Sequence, residues 1–245
     1  MKSTGKLAAG VARRLLTPFV PARKMLPYTF WLHKLAGAAE PELLHLDEFI
    51  AATGTAIDVG ANVGFYTYAL SRRFKHVYAF EINEGITGPI AQYNPGNIEL
   101  IHCGLSSSEG TARFYIPVSG GIPQAGWASL YRDNLPGAEK LIERDVRVAP
   151  LDEFKISAVD FIKIDVEGHE IEVLKGAAAT IEASRPIVLI ELKKEHVETV
   201  DDWFRNLDYK PCRLEDFNDV PGHRSNHIYV PLERLAQFGI ARPAD

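Results

Sequence analysis

A short apolar run that ends in a glycine-containing turn and leads straight into a helical pattern is the feature that most restricts the fold of this chain. The run is TAIDVG at 55–60, and the residues after the turn recur at helical spacing over 63–74. That spacing places four apolar side chains on one face: Val63, Tyr66, Leu70 and Phe74. A strand, a tight turn and a helix in this order are the unit from which parallel sheets are built.

Six more strand-like runs continue the alternation, at 76–82, 97–103, 158–165, 186–192, 208–214 and 226–232. Helical spacing follows the fourth strand over 168–184, where Pro186 ends the helix, and follows the fifth from Val197 to Leu207. Strands that alternate with helices predict an α/β fold with a doubly wound, mostly parallel sheet and helices on both faces.

The stretch 105–150 departs from this rhythm. Two strand patterns, at 110–117 and 144–151, flank a loop rich in glycine and proline, which predicts a β-hairpin inserted after the third strand. Trp127, Tyr131 and Arg132 of this loop could stack on a bound sugar, so the loop is either an acceptor lid or an ordinary hairpin connection.

Charge divides the chain into two parts. Residues 1–34 hold seven Lys or Arg, and the first acidic residue is Glu40, so the remainder carries 20 of the 27 basic residues against all 32 acidic ones. Residues 1–44 are therefore predicted to be a basic helical N-terminal extension that either packs on the main domain, 45–245, or lies on an anionic membrane surface. Pro18, Pro21 and Pro27 are expected to break any long helix there. The acidic main domain argues against a nucleic-acid partner.

Two cysteines, Cys103 and Cys212, are too few for a disulfide framework, and no apolar run reaches the roughly 18 residues that span a bilayer. With no export signal at its start, the chain is expected to be a soluble cytoplasmic protein, with attachment to the membrane surface as the alternative.

In an open parallel sheet, ligands bind outside the carboxyl ends of the strands. The residues to consider are Asp58–Gly64, Glu81, Cys103–Leu105, Asp165–His169 and Glu191. Four of these five strand ends contain a carboxylate, a composition that disfavours an anionic ligand.

The turn after the first strand differs from a dinucleotide fingerprint. Asn62 stands where the middle glycine of G-x-G-x-x-G would be, and Asp58, expected to point into the same pocket, would repel a pyrophosphate by several kcal/mol. A nucleoside-like ligand that is cationic and carries no phosphate suits such a turn, and S-adenosylmethionine has these properties. Glu81 ends the second strand, where an acid can accept hydrogen bonds from both ribose hydroxyls.

Several segments together resemble the FkbM family of S-adenosylmethionine-dependent methyltransferases over about residues 45–231. They are IDVGANVGFYTYAL, FEIN, GLSSSEGTARFYIP, LDEF and, most specifically, VDFIKIDVEGHEIEVLKGA followed by PIVLIEL. The resemblance implies a Rossmann-like methyltransferase fold with a seven-stranded sheet whose last strand is antiparallel. It also implies O-methylation of a hydroxyl group on a sugar, a glycan or a natural product.

The resemblance also assigns the cofactor site. Asp58, Gly60, Asn62 and Gly64 would hold the methionine end, Glu81 the ribose, and Cys103–Leu105 would line the adenine. The complete predicted cofactor-binding set is Asp58, Gly60, Ala61, Asn62, Gly64, Phe65, Glu81, Ile82, Gly104 and Leu105.

Methyl transfer to a hydroxyl needs in-line alignment and a group that takes the proton. Asp165 is predicted to face the methyl group and the acceptor, and either His169 or Glu191 to be the base. Equally open are a surface role for His169 and a structural ion pair for Glu191. Lys163, within a buried strand, is expected to pair with Asp165. No metal is expected, because the acidic residues beside Gly168 need not converge.

Two other classes of protein share parts of this pattern. A nicotinamide-dependent oxidoreductase would show the same strand, turn, helix and ribose acid, although Asp58 and Asn62 disfavour it. A non-catalytic homologue would bind S-adenosylmethionine without turnover.

Overall fold

The structure is a computed structural model that describes residues 17–124, 128–135 and 137–242. The strands in the described residues are β1 (Thr55–Val59), β2 (His76–Phe80), β3 (Ile98–Ile101), β4 (Gly104–Leu105), β5 (Gly110–Ser119), β6 (Ile122–Pro123), β7 (Lys140–Ala149), β8 (Val159–Ile164), β9 (Ile187–Glu191), β10 (Tyr209–Cys212) and β11 (Asn226–Pro231). The α-helices are α1 (Ala22–Leu35), α2 (Pro41–Leu44), α3 (Leu46–Phe49), α4 (Phe65–Ser71), α5 (Gly88–Tyr93), α6 (Glu170–Gly176), α7 (Ala178–Ser184) and α8 (Val197–Arg205).

The main sheet has seven strands in the order β10-β11-β9-β8-β1-β2-β3. The five strands from β9 to β3 in this order pair in parallel, whereas β11 is antiparallel to both β9 and β10. The predicted α/β fold, with its antiparallel last strand, is confirmed.

Helices cover both faces of the sheet because both faces are apolar. On one face Leu70 of α4 and Phe161 of β8 belong to the same buried cluster, to which α1, α2 and α3 also contribute. On the other face Ile162 of β8 packs in a second cluster with Leu174 of α6 and Phe204 of α8. Neighbouring residues of β8 thus point to opposite faces, as the alternation of a strand requires.

The predicted hairpin forms a second sheet in the order β4-β7-β5-β6. Its strands are longer than the sequence indicated, since β5 and β7 pair from Gly110↔Val148 to Val118↔Lys140. The predicted third strand, 97–103, corresponds to β3 of the main sheet, and just beyond it β4 pairs in parallel with β7 of the second sheet. The chain therefore passes from one sheet to the other beside the ends of β1 and β2.

The described part of the N-terminal segment packs against the main domain. Leu26 of α1 is fully buried in the core, and the ring of Phe30 lies 5.0 Å from that of Tyr68 on α4. Pro27 lies within α1, so the expectation that it would break the helix is wrong. Packing on both sides of this proline outweighs the loss of one backbone hydrogen bond. Among the described residues, no helix is long and apolar enough to cross a membrane.

Candidate active site

The turn after β1 brings three strand ends together. Gly60 has φ +78°, and a Cβ atom there would lie 1.8 Å from the carbonyl oxygen of Asp165, so only glycine fits. The N–H groups of Gly60 and Ala61 both donate to the carbonyl oxygen of Phe80 at 2.9 Å. Asn62 also has a positive φ, +52°, which turns the chain toward the cleft. The carboxyl ends of β1, β2 and β8 are therefore held in backbone contact.

Glu81 follows β2 and binds this turn through its carboxylate. One oxygen accepts a hydrogen bond from the N–H of Asn62 at 2.7 Å, and the other accepts one from the N–H of Asn83 at 2.7 Å. Burial raises the pKa of Glu81, and these two backbone hydrogen bonds oppose that shift. Each oxygen keeps a further lone pair that can accept a hydrogen bond from a ligand.

A cleft lies between these strand ends and the second sheet. Its walls are the turn after β1, residues 80–82, β4 and the turn after β8, and residues 128–130 lie across it. The space between these walls, counted out to where it opens to solvent, is about 660 Å³. Glu81, Asp165 and Glu167 line it, and among the described residues that do so none is Lys or Arg. The charge of the cleft suits a cationic ligand.

Of the ten predicted cofactor-binding residues, six line the cleft: Gly60, Asn62, Glu81, Ile82, Gly104 and Leu105. Ala61 and Gly64 belong to the turn after β1, but they do not line the cleft. A Cβ atom at Gly64 would lie 2.4 Å from Ile90 on α5, so this glycine serves the packing behind the turn.

The structure corrects the prediction for Asp58. Its side chain is fully buried, accepts a hydrogen bond from the Thr67 hydroxyl at 2.6 Å, and does not line the cleft. Asp58 alternates with Ile57 and Val59 along β1, and the latter two face the opposite side of the sheet. Asp58 therefore lies beneath α4, where burial raises its pKa.

Phe65 is likewise not part of the cleft wall. It begins α4, and its ring packs against Phe30 at 6.0 Å and His33 at 4.7 Å, both on α1. The side chain at the first position of α4 is therefore directed toward α1 and not toward the cleft.

Lys163 and Asp165 form the ion pair expected from their spacing, with Nζ 2.8 Å from Oδ2. Lys163 is buried and Asp165 lines the cleft. Burial alone lowers the pKa of Lys163, but the negative charges of Asp165 and Asp58 outweigh it and raise the pKa. The Nζ atom also lies 4.8 Å from the ring centroid of Tyr66. Lys163 therefore binds Asp165 from the buried side of the strand and does not line the cleft.

His169 lines the cleft with both ring nitrogens in hydrogen-bond contact. Nδ1 lies 3.0 Å from the Tyr131 hydroxyl, and Nε2 lies 3.0 Å from the Ser106 hydroxyl. Burial lowers the pKa of His169, which favours the neutral form of the ring. His169 therefore connects the described end of the predicted lid to the turn after β8. Trp127 of that lid lies outside the described residues.

Glu191 ends β9 but does not line the cleft. Burial, followed by the negative charges of Asp165 and Glu40, raises the pKa of Glu191 to about 7. Glu191 therefore interacts electrostatically with Asp165 of the cleft without lining the cleft itself.

Glu167 is the residue that the sequence reasoning missed as a catalytic candidate. It lies in the turn after β8 with φ +54°, a strained conformation for a residue other than glycine. Its carbonyl oxygen accepts hydrogen bonds from the Ser129 hydroxyl at 3.1 Å and from Asn134 Nδ2 at 2.7 Å. Within the described parts of the chain, its carboxylate has no hydrogen-bond or ion-pair partner. The signal for it was its place between Asp165 and Gly168, at the edge where the other strand ends meet.

Glu167 lines two spaces. It lines the cleft, and it lines a neighbouring groove, the hairpin groove, between residues 117–119 of β5 and residues 134, 135, 137 and 138. Although the residue is exposed at this mouth, loss of water around the carboxyl group, then the charges of Asp165 and Glu170, raise its pKa to about 7. Glu170 holds the turn itself, since its Oε1 accepts a hydrogen bond from the N–H of Gly168 at 2.8 Å.

Within the residues that the structure describes, the chain has no group of three or more His, Cys, Asp or Glu side chains that could hold a metal ion.

Comparisons with known proteins identify the family. The family model of the methyltransferase FkbM domain matches residues 58–211. The hexuronic acid methyltransferase AglP of Haloferax volcanii is 29% identical over 141 residues, which cover 55% of this chain and 54% of that protein. The match thus spans about half the length of this curated relative.

Two solved structures are also similar. The methyltransferase FkbM of Methylobacillus flagellatus has a TM-score of 0.48 at 18% identity, covering 93% of this chain and 58% of its own. SMU.1697c, a putative methyltransferase of Streptococcus mutans in complex with SAH, has a TM-score of 0.46 at 13% identity, covering 78% of this chain and 97% of its own. Because the FkbM model matches more than half of the residues, this chain belongs to the FkbM methyltransferase family.

Proposed function

We propose that this protein is an S-adenosylmethionine-dependent O-methyltransferase that acts on a hydroxyl group of a sugar, a glycan or a natural product. The observation that carries the proposal is the charge of the cleft at the strand ends, which is lined by Glu81, Asp165 and Glu167 and by neither Lys nor Arg among the described residues. A related protein described as a hexuronic acid methyltransferase favours a sugar acceptor.

The residues of the cleft fit this cofactor. The free lone pairs of Glu81 can accept hydrogen bonds from the ribose hydroxyls while Asn62 and Asn83 keep its carboxylate in place. Ile82 and Leu105 offer apolar surface to a purine, beside Gly104, where a Cβ atom would lie 2.5 Å from Ile82. Asp165 offers negative charge to an ammonium or sulfonium group. When bound, S-adenosylmethionine supplies a methyl group activated by its positively charged sulfur.

Glu167 is the residue best suited to take the proton of the acceptor hydroxyl. Glu167 lines both the cleft and the hairpin groove, and with a pKa of about 7 its carboxyl group can hold or release a proton near neutral pH. The groove offers neutral hydrogen-bonding side chains, Ser119, Gln124 and Asn134, to a polyhydroxylated acceptor. His169 is less suitable, because its two ring nitrogens already contact Tyr131 and Ser106.

A nicotinamide-dependent oxidoreductase is the main alternative. Its dinucleotide would place a pyrophosphate near Glu81 and Asp165 without a lysine or arginine among the described lining residues, which is unfavourable in a partly buried site. A non-catalytic homologue would have no need of an unpaired carboxylate such as Glu167 between two spaces.

Calorimetry followed by a transfer screen tests the proposal. We expect S-adenosylmethionine and its demethylated product to bind, and NAD and NADP not to bind. Transfer of labelled methyl is then measured to sugar nucleotides, lipid-linked glycans and polyketide alcohols. Binding of NAD without binding of S-adenosylmethionine would favour the oxidoreductase, and cofactor binding without transfer to any acceptor would favour the non-catalytic homologue.

A further inference from the structure

The described part of the N-terminal segment carries an exposed aromatic surface. Of the large apolar side chains that the structure shows as exposed, three lie between residues 17 and 35: Phe19, Trp31 and Leu35, with exposed fractions of 83%, 48% and 37%. We call this the N-terminal face, and it also includes Lys24 on α1 and Arg72 just after α4. Clustered apolar side chains on a surface mark an interaction site, whereas single ones do not.

Helical geometry separates this face from the side of α1 that packs on the domain. Leu26 and Phe30, four residues apart, point inward and pack against α4 and α5. Lys24, Trp31 and Leu35 follow the spacing i, i+7, i+11 and lie along another side of the helix. The exposed aromatic groups are therefore not required for the packing of α1.

A groove between α1 and the domain continues the N-terminal face. Phe19, Lys24 and Trp31 line it on one side, and Tyr68, Arg72 and Tyr93 line it on the other. The guanidinium carbon of Arg72 lies 5.8 Å from the ring centroid of Tyr68. Aromatic rings and basic groups thus alternate across the surface.

The charged side chains of the N-terminal segment before Glu40 are all positively charged. Arg23, Lys24 and Lys34 are exposed, and the sequence has no Asp or Glu before Glu40. Because this face combines exposed positive charge with exposed aromatic side chains, a partner complementary to it is negatively charged and also accepts aromatic side chains. An anionic bilayer has both properties, since Trp and Phe favour the headgroup region and Lys and Arg favour anionic lipid.

We propose that the N-terminal face binds the surface of an anionic lipid bilayer. Phe19 and Trp31 enter the headgroup region, while Lys24 and Arg72 lie against lipid phosphates. This attachment does not depend on the methyltransferase activity, and it would bring the enzyme to acceptors held at a membrane.

Co-sedimentation of the full chain with vesicles tests this proposal. We expect binding to vesicles of roughly three parts phosphatidylcholine to one part phosphatidylglycerol, and much weaker binding to phosphatidylcholine alone. The double variant Phe19→Ala/Trp31→Ala should lower the partition coefficient about tenfold, because two apolar anchors are lost. The variant Arg23→Gln/Lys24→Gln/Lys34→Gln/Arg72→Gln should abolish the difference between the two lipid compositions.

Ile122→Ala is the matched control, because it removes another exposed apolar side chain, 65% exposed, from the edge strand β6. It should leave binding unchanged, and circular dichroism should show all variants folded. Three results would overturn the proposal: no binding to anionic vesicles, equal binding to both lipid compositions, or an unchanged partition coefficient in the Phe19→Ala/Trp31→Ala variant. A concentration-dependent dimer that this variant abolishes, in the absence of vesicle binding, would assign the face to self-association instead.

Discussion

The carboxylate of Glu81 and the backbone N–H of Asn62 lie 2.7 Å apart, and this hydrogen bond joins the end of β2 to the turn after β1. The same carboxylate faces the cleft, so one side chain both fixes the turn and offers acceptors to a ligand. Loss of the Glu81 side chain should therefore weaken ligand binding more than its small exposed area would suggest.

We predict that Glu81→Ala weakens S-adenosylmethionine binding at least tenfold, because a hydrogen bond to a charged group contributes about 1.5–3 kcal/mol. Isothermal titration calorimetry measures the effect. Glu84→Ala is the control, since Glu84 is an exposed acid in the next turn and does not line the cleft. Equal affinity of the Glu81→Ala variant and the wild type would remove the ribose role from Glu81.

The glycine turn itself can be tested by a pair of substitutions with the same backbone strain. Gly60 and Gly96 both have a positive φ, +78° and +98°, but only at Gly60 would a Cβ atom meet other atoms, at 1.8 Å from the Asp165 carbonyl oxygen. We expect Gly96→Ala to lower the free energy of unfolding by about 1–2 kcal/mol. Gly60→Ala should lower it by more than about 3 kcal/mol, because β1 and β8 must move apart. Urea unfolding followed by circular dichroism measures both, and equal losses would contradict the close contact.

The buried ion pair between Lys163 and Asp165 leads to a third prediction. Lys163→Met leaves Asp165 and the buried Asp58 without their nearby positive charge, which should cost about 3–5 kcal/mol of unfolding free energy. Lys175→Met removes an exposed lysine from a pair with Glu172 at 2.6 Å and should cost about 0–1 kcal/mol. Thermal unfolding at pH 7 compares the two variants. Similar losses would mean that Lys163 contributes no more than a surface charge.

The sequence was sufficient to predict which strand ends meet, but not where every side chain points. Glu81 and Asp165 could be placed at the cleft because the carboxyl ends of neighbouring parallel strands lie at one edge of the sheet. The direction of Asp58 could not be predicted, because both faces of β1 are buried and hydrophobicity does not distinguish them. Because successive residues of a strand face opposite sides of the sheet, a shift of one position determines whether Asp58 faces the ligand or α4.

Contacts between distant segments were also beyond the sequence. His169 contacts Tyr131, 38 residues earlier, and Glu40 accepts hydrogen bonds from Tyr66 at 2.8 Å and from Asn226 at 2.9 Å. No local pattern encodes such pairs, because they depend on how the second sheet and the N-terminal segment pack on the main sheet. The candidate base was missed for the same reason, since only the packing of residues 128–135 shows that Glu167 borders two spaces.

In methyl transfer to a hydroxyl, the acceptor must lose a proton to a base. Glu167 and Glu191 both have a raised pKa of about 7, so a rate that falls below pH 7 would not by itself distinguish them. The positions of the two residues distinguish them, because Glu167 lines the cleft and Glu191 does not. With an acceptor found in the transfer screen, Glu167→Gln should lower kcat by about 10²–10⁴-fold and leave S-adenosylmethionine affinity unchanged.

The same substitution should remove the pH dependence of the rate near neutrality. A carboxyl group with a raised pKa stays protonated up to about pH 7, so the wild-type rate should rise as the pH increases through 7 and then level off. Glu191→Gln should keep both this profile and most of the activity, because its carboxyl group acts only through charge. If Glu191→Gln abolishes the rise and Glu167→Gln retains it, the base lies at the end of β9, and the acceptor must approach from the side of the sheet that faces Glu40.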